Sequence, residues 1–248
     1  MLCALAWAYL AYVASTGAEM SAMPGTAAMP DMPDMPGMVM PMVHEWSGAD
    51  FAAMFLMWAV MMVAMMVPSV TPVVALYGRV GAQRAAQGRP QAPTWPFIAG
   101  YLLAWAAFSL LATLGNWALH AQGYLTAMMG AATPLVGGIL LATAGVYQWT
   151  PLKNACLAHC RSPVGFLSDH WREGRLGALR MGLSHGVYCV GCCWLLMTLL
   201  FVLGVMNIAW IAALAVFVLV EKMVPFGQLL SRAAGVLMLA WGVWLIAS

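Results

Sequence analysis

At 248 residues the chain has the length of one large domain or two small ones, yet only 7% of it is charged while 64% is apolar. A water-soluble globule carries about 25% charged residues, so that class is excluded. Ten Lys and Arg against eight Asp and Glu, a net of +2, leave no basic stripe to neutralise a phosphate backbone, so no nucleic-acid partner is expected.

The charges are clustered, and between them lie uncharged runs about as long as a bilayer is thick. Candidate spans fall at 2–18, 51–77, 96–120, 129–150, 182–204, 207–221 and 227–247. Hydrocarbon leaves backbone amides to be satisfied within their own segment, and these runs far exceed the roughly ten residues of a barrel strand. The expected fold class is all-α: a polytopic transmembrane helical bundle of about seven spans in the lipid bilayer. Its expected parts are a short first helix at 1–18, an outside loop at 19–50, and a six-helix bundle at 51–248 with inside loops at 78–95 and 151–181.

A cytoplasmic N-terminus and an outside C-terminus put Arg79, Arg84 and Arg89 in one inside loop and Lys153, Arg161, Arg172, Arg175 and Arg180 in another. Lys222 and Arg232 then flank the last inside turn. All the basic residues fall on one side, which is the asymmetry of the positive-inside rule. The first span is the weak one. Met1 to Ala18 barely reaches the minimum length, and it lacks the basic start of a cleaved signal peptide.

The outside loop reads MSAMPGTAAMPDMPDMPGMVMPMVH from Met20 to His44. Proline at this density blocks helix, so an extended chain is expected. Thioethers in such a loop do not serve a core. Met32, Met35 and Met38 suit Cu(I), and His44 with Asp31 and Asp34 offers harder donors for Cu(II). A flexible linker is the competing reading.

Helix two carries Met54, Met57, Trp58, Met61, Met62, Met65 and Met66 ahead of Pro68. At about 100° per residue, Met54, Trp58, Met61 and Met65 share a stripe, with Met62 and Met66 beside it. Met61 and Met65 are candidate ligands, against the plain alternative that methionine packs a helix interface. Pro68 frees a carbonyl one turn earlier, near Ala64.

Within the second inside loop, Cys156 and Cys160 stand at i, i+4 with His159 adjacent, between Lys153 and Arg161. A reducing cytoplasm disfavours a disulfide, so metal hand-off or zinc binding is the reading, with the two cations favouring thiolate. The stretch from Asp169, His170 and Trp171 to Arg180 reads as an amphipathic segment at anionic lipid.

Helix five is the most informative. Taking His185 as zero, Cys189 lies at about +40°, Cys192 at about −20° and Cys193 at about +80°, so all four share one arc. Gly186 and Gly191 invite a close neighbour, and Tyr188 stands beside the arc as a residue that would orient a ligand. An ionisable residue in a span is a functional candidate by default. His with Cys suits copper, zinc or iron; thioethers from helix two tip the balance to Cu(I). Cys189 and Cys192 also have the spacing of a thiol–disulfide oxidoreductase, although no Cys-x-x-Cys-His for covalent haem occurs. Glu221 and Lys222 end helix six, with Lys222 expected to snorkel. Were the carboxylate to turn inward, it would orient or ligate beside His185.

Four blocks carry a resemblance: W-A-V-M-M-V-A-M-M-V-P-S (58–69), K-N-A-C-L-A-H-C-R-S-P (153–163), H-G-V-Y-C-V-G-C-C-W-L-L-M (185–197), and M-N-I-A-W (206–210) through E-K-M-V-P-F-G (221–227). Across about 50–248 the chain resembles a bacterial family of uncharacterised, metal-binding integral membrane proteins. The resemblance implies metal binding in a bacterial inner (cytoplasmic) membrane and supplies no substrate or reaction.

The expectation is therefore a copper carrier, transporter or delivery protein, more simply a binder than an enzyme. A soluble copper chaperone or a larger membrane complex would be its partner. Accessory subunit of a membrane metalloenzyme and membrane thiol–disulfide oxidoreductase are the alternatives. No G-x-x-x-x-G-K-[ST] for ATP occurs.

Overall fold

A computed structural model describes residues 2–22, 47–89, 93–122, 134–203 and 207–247. Every regular element among these residues is helical: α1 (Leu2–Ala22), α2 (Gly48–Ala86), α3 (Trp95–Ala121), α4 (Pro134–Tyr147), α5 (Pro151–Arg161), α6 (Pro163–His170), α7 (Gly174–Thr198), α8 (Leu200–Leu203), α9 (Ile208–Met223) and α10 (Gly227–Ala247).

The all-α expectation holds, and its coarse membrane reading with it. Four helical stretches, Gly48–Ala86, Trp95–Ala121, Gly174–Leu203 and Gly227–Ala247, are long and apolar enough to cross a bilayer; α4 and α5, bent by 65° at their junction, make a fifth if counted together. The apolar part of α1, Cys3–Val13, and the 16 residues of α9 fall short of that length. The distribution of side chains is inverted relative to a soluble protein. Leu111, Leu176, Leu237 and Trp244 face outward, while Asn116, Gln148, Lys153, His185, Glu221 and Lys222 are buried.

Several boundaries differ from the sequence reading. α2 continues through the first inside loop as far as Ala86, and the loop expected at 151–181 contains α5, α6 and the first turns of α7. Polar residues in these stretches do not stop a helix, because Lys, Arg, Gln and Ala are good helix formers once a cap starts the run. Ser47 starts α2 with a reciprocal capping box to Asp50. Thr150 caps α5, its hydroxyl accepting from the Lys153 amide just ahead of Pro151.

Pro68 acts as its chemistry requires. It cannot donate to the carbonyl of Ala64, and that oxygen instead accepts from Trp7 Nε1 at 3.1 Å and Cys3 Sγ at 3.5 Å. The freed acceptor thus fastens α1 to α2.

The central pair is α3 against α7, brought close by glycines at the contact. A Cβ built on Gly182 would run into the Phe97 carbonyl, and one on Gly100 would meet Leu183 N at 2.7 Å and the Leu179 carbonyl closer still. Similarly, α4 and α10 meet through Gly138 and Gly242. Gly182→Val is expected to lower stability by about 1–3 kcal/mol through overpacking, whereas Gly48→Val, where nothing stands within 4 Å, should be nearly neutral. Thermal unfolding of the two variants in detergent checks the contrast.

Candidate metal centre

α7 buries His185, Cys189, Cys192 and Cys193 together, the face predicted from the helical wheel. Local helix geometry gathers the thiols. Cys192 Sγ and Cys193 Sγ both donate to the Cys189 carbonyl, at 3.1 and 3.0 Å.

From another helix comes a fourth sulfur. Cys160 of α5 is buried and close enough to Cys189 and Cys192 to interact with them. Cys156, also on α5, is half-buried and packs instead at Gly191, where an added Cβ would stand 2.8 Å from its sulfur. The Gly191 carbonyl in turn accepts from Tyr147 Oη. All these cysteines are free thiols.

Cys189 is the node of the cluster. Its sulfur lies 3.1 Å from Tyr101 Oη and 3.0 Å from Lys222 Nζ, and that ammonium also donates to Ser69 Oγ at 3.3 Å. Tyr101 Oη is 3.2 Å from the Met66 carbonyl, which it reaches as donor. One pocket thus draws on α2, α3, α5, α7 and α9. Among the described residues, no group of three or more His, Cys, Asp or Glu side chains is arranged so that it could hold a metal ion as it stands. The thiols of Cys192 and Cys193 are instead turned to a backbone carbonyl.

Three sequence expectations are corrected here. Lys222 does not snorkel; it is buried, because Cys189 and Ser69 give its ammonium partners inside. Glu221 does turn inward, but toward Lys153 and Ser231 and not toward His185. Lys153 Nζ and Glu221 Oε1 are 2.6 Å apart with both side chains fully buried, and Ser231 Oγ donates to the same carboxylate oxygen. Neither cation expected to flank the α5 thiols does so: Lys153 is taken by Glu221, and Arg161 Nη2 donates to the carbonyls of Val224, at 2.7 Å, and Pro225. Being consecutive on α9, Glu221 and Lys222 point about 100° apart, one toward Lys153 of α5 and the other toward Cys189 of α7.

His185 sits in an aromatic box of Phe97, Tyr101 and Phe166, with ring centroids at 6.2, 6.0 and 4.8 Å, and its Nδ1 has no hydrogen-bond partner. A buried imidazole nitrogen without a partner is uncommon and leaves a donor open. Tyr188 lies against His159, not against a sulfur: the rings stack at 4.1 Å and 4°.

Met57, Trp58, Met61, Met62, Met65 and Met66 are all buried, as is Met197 one turn beyond Cys193. Met54 Sδ accepts from Asn116 Nδ2 at 3.2 Å. The methionine stripe is therefore interior and not lipid-facing. Met32, Met35, Met38 and His44 lie outside the described residues. Tyr101 and Ser69 join the cluster without a sequence signal. Lys153 shares the face of Cys156 and Cys160 at i, i+3 and i+7, but its partner is Glu221 and not a thiol.

Buried soft donors drawn from separate helices are what a monovalent copper ion selects. Residues 55–245 match the PpoB2 family, described as a copper chaperone. The chain belongs to this family. Its member positions include all the buried thiols, the methionine stripe from Met57 onward and both charged residues of α9, so copper handling is the family context in which the centre stands. No curated protein and no solved structure matches the chain.

Proposed function

We propose that this PpoB2-family chain is a multi-pass carrier of the bacterial inner membrane that holds Cu(I) between α5 and α7, on Cys160, Cys189, Cys192 and Cys193, for delivery to a partner. The observation that supports this reading is the burial of Cys189, Cys192 and Cys193 on one face of α7, with the buried Cys160 of α5 close enough to Cys189 and Cys192 to interact with them. Thiolate sulfur selects Cu(I) over harder ions, with zinc and iron as lesser fits. Charge supports it as well. Cu(I) on two thiolates has one net negative charge, and the buried Lys222 ammonium beside Cys189 cancels it, which suits a site surrounded by hydrocarbon.

The rest of the path is read from chemistry. Met32, Met35, Met38 and His44 would capture copper outside. Met61 and Met65 would lead inward, and Cys156 and His159 lie toward the other end. The seven-span topology with an inside N-terminus belongs to the same proposal. It is supported by contacts between stretches assigned to one side: Arg84 Nη2 meets Glu173 Oε1 at 2.5 Å, and Arg161 reaches the turn at Val224 and Pro225.

The test is copper content after Cu(I) loading and desalting in detergent. Wild-type protein is expected to retain copper, and the variant with Cys160, Cys189, Cys192 and Cys193 all changed to Ser to lose the sulfur-bound portion. Equal copper in both would end the proposal. Redox-dependent alkylation of the thiols without any retained metal would favour dithiol chemistry instead.

A further inference from the structure

Beyond the sulfur pocket, a separate group of imidazoles gathers where α5, α6 and α7 meet. His159 of α5 and His170 of α6 are both half-buried. Each has its Nδ1 tied to a carbonyl one turn back, His159 to Ala155 at 2.9 Å and His170 to Phe166 at 3.2 Å. A carbonyl oxygen only accepts, so each Nδ1 donates and each neutral ring keeps its lone pair on Nε2. That arrangement, one nitrogen anchored and the other free, is how proteins orient metal-binding histidines.

Aromatic rings fix both planes. His159 lies flat on Tyr188 at 4.1 Å, and His170 lies flat on Phe166 at 4.8 Å and 15°. The two imidazole centroids are 6.2 Å apart. Metal–nitrogen bonds of about 2.0–2.1 Å place two imidazoles that share one ion about 6 Å apart, centroid to centroid, when they bind from opposite sides. Two opposed donors are a coordination that Cu(I) accepts.

We propose that His159 and His170 form a second copper site, built of imidazoles, through which copper passes between solution and the sulfur pocket. The inference rests on the copper reading of that pocket. The path between the two sites is short in the fold. His159 directly precedes Cys160, and on the other side Phe166 also touches His185 at 4.8 Å. The unpartnered Nδ1 of His185 stands buried in the helix that bears Cys189. Imidazole is the weaker ligand for Cu(I) than thiolate, so an outer imidazole pair would load and release quickly while the inner thiols retain.

X-ray absorption of the full-length protein saturated with Cu(I) separates the two sites by their nearest scatterers. Wild-type protein is expected to show both sulfur and nitrogen, the His159→Ala/His170→Ala variant to lose nitrogen scattering relative to it, and the four-serine variant to lose sulfur scattering down to the thioether share. Copper release from the double-histidine variant to a Cu(I) chelator should slow about tenfold or more, the scale on which groups around a metal affect its binding. In unaltered protein, Cu(I) should also shield His159 and His170 from diethylpyrocarbonate, mapped by mass spectrometry, a readout that does not depend on any variant folding. Sulfur-only copper in wild type, unshielded histidines and an unchanged release rate would overturn the imidazole site while leaving the thiol pocket standing. Nitrogen-bound copper without sulfur would instead sink the pocket.

Discussion

Glu221→Gln is expected to destabilise the protein by about 3–5 kcal/mol, because it leaves the ammonium of Lys153 buried without its anion. Both members of the pair are fully buried at 2.6 Å, and Ser231 completes the carboxylate's surroundings. In a chain of this size such a loss corresponds to a fall of about 10 °C or more in thermal midpoint. The pair itself is not expected to be a net source of stability. Removing two charges from water costs about what their attraction returns, so Lys153→Met combined with Glu221→Leu should recover most of the loss. Thermal unfolding in detergent distinguishes these outcomes. A Glu221→Gln variant as stable as wild type would show that the pair is hydrated and not clamped. The pair also holds α5, and with it Cys160, against α9. Copper retention should therefore fall in Glu221→Gln, although the residue touches no sulfur, and return in the double variant.

Cys189→Ser is expected to weaken Cu(I) binding by about 100-fold or more, exceeding the 10–100-fold typical of losing a supporting group, with a stability change of only about 1 kcal/mol. The sulfur of Cys189 meets Tyr101 and Lys222, and its carbonyl accepts from Cys192 and Cys193. A serine hydroxyl fits the same space and keeps hydrogen bonds to the tyrosine and the ammonium, but it offers copper a hard oxygen in place of soft sulfur. Competition with a Cu(I) chelator, alongside a melting curve, reads both quantities. Unchanged copper affinity, or a collapse in stability with affinity lost only as a consequence, would contradict the role given to this residue.

The parts of the fold legible from sequence were those governed by one helix at a time. The wheel of α7 gave the common face of His185, Cys189, Cys192 and Cys193, since 3.6-residue periodicity requires no knowledge of neighbours. The freed carbonyl of Ala64 likewise followed from Pro68 alone, though its partners Trp7 and Cys3 did not. What sequence could not supply was the meeting of helices. Lys222 reads as a snorkelling residue until Cys189 and Ser69 are seen to give its ammonium partners inside. Glu221 reads as a companion of His185 until Lys153 arrives from α5. Cys156 and Cys160 looked equivalent at i, i+4. Their sulfurs part because α5 crosses α7 at Gly191, which takes Cys156 onto bare backbone and carries Cys160 into the cluster. The stretch 151–181 reads as a loop for a related reason. Its charged residues look solvated in sequence, yet α5 folds back against α7 and buries Lys153 against a carboxylate.

The shared pocket of α5 and α7 is tested most directly by comparing Cys160→Ser with Cys156→Ser in one Cu(I) competition titration of the full-length protein. Cys160→Ser is expected to lose about tenfold to 100-fold in affinity, since its sulfur reaches Cys189 and Cys192 from the neighbouring helix, whereas Cys156→Ser should stay near wild type. If Cys160→Ser binds copper as tightly as the unaltered chain, the two helices do not hold the ion between them.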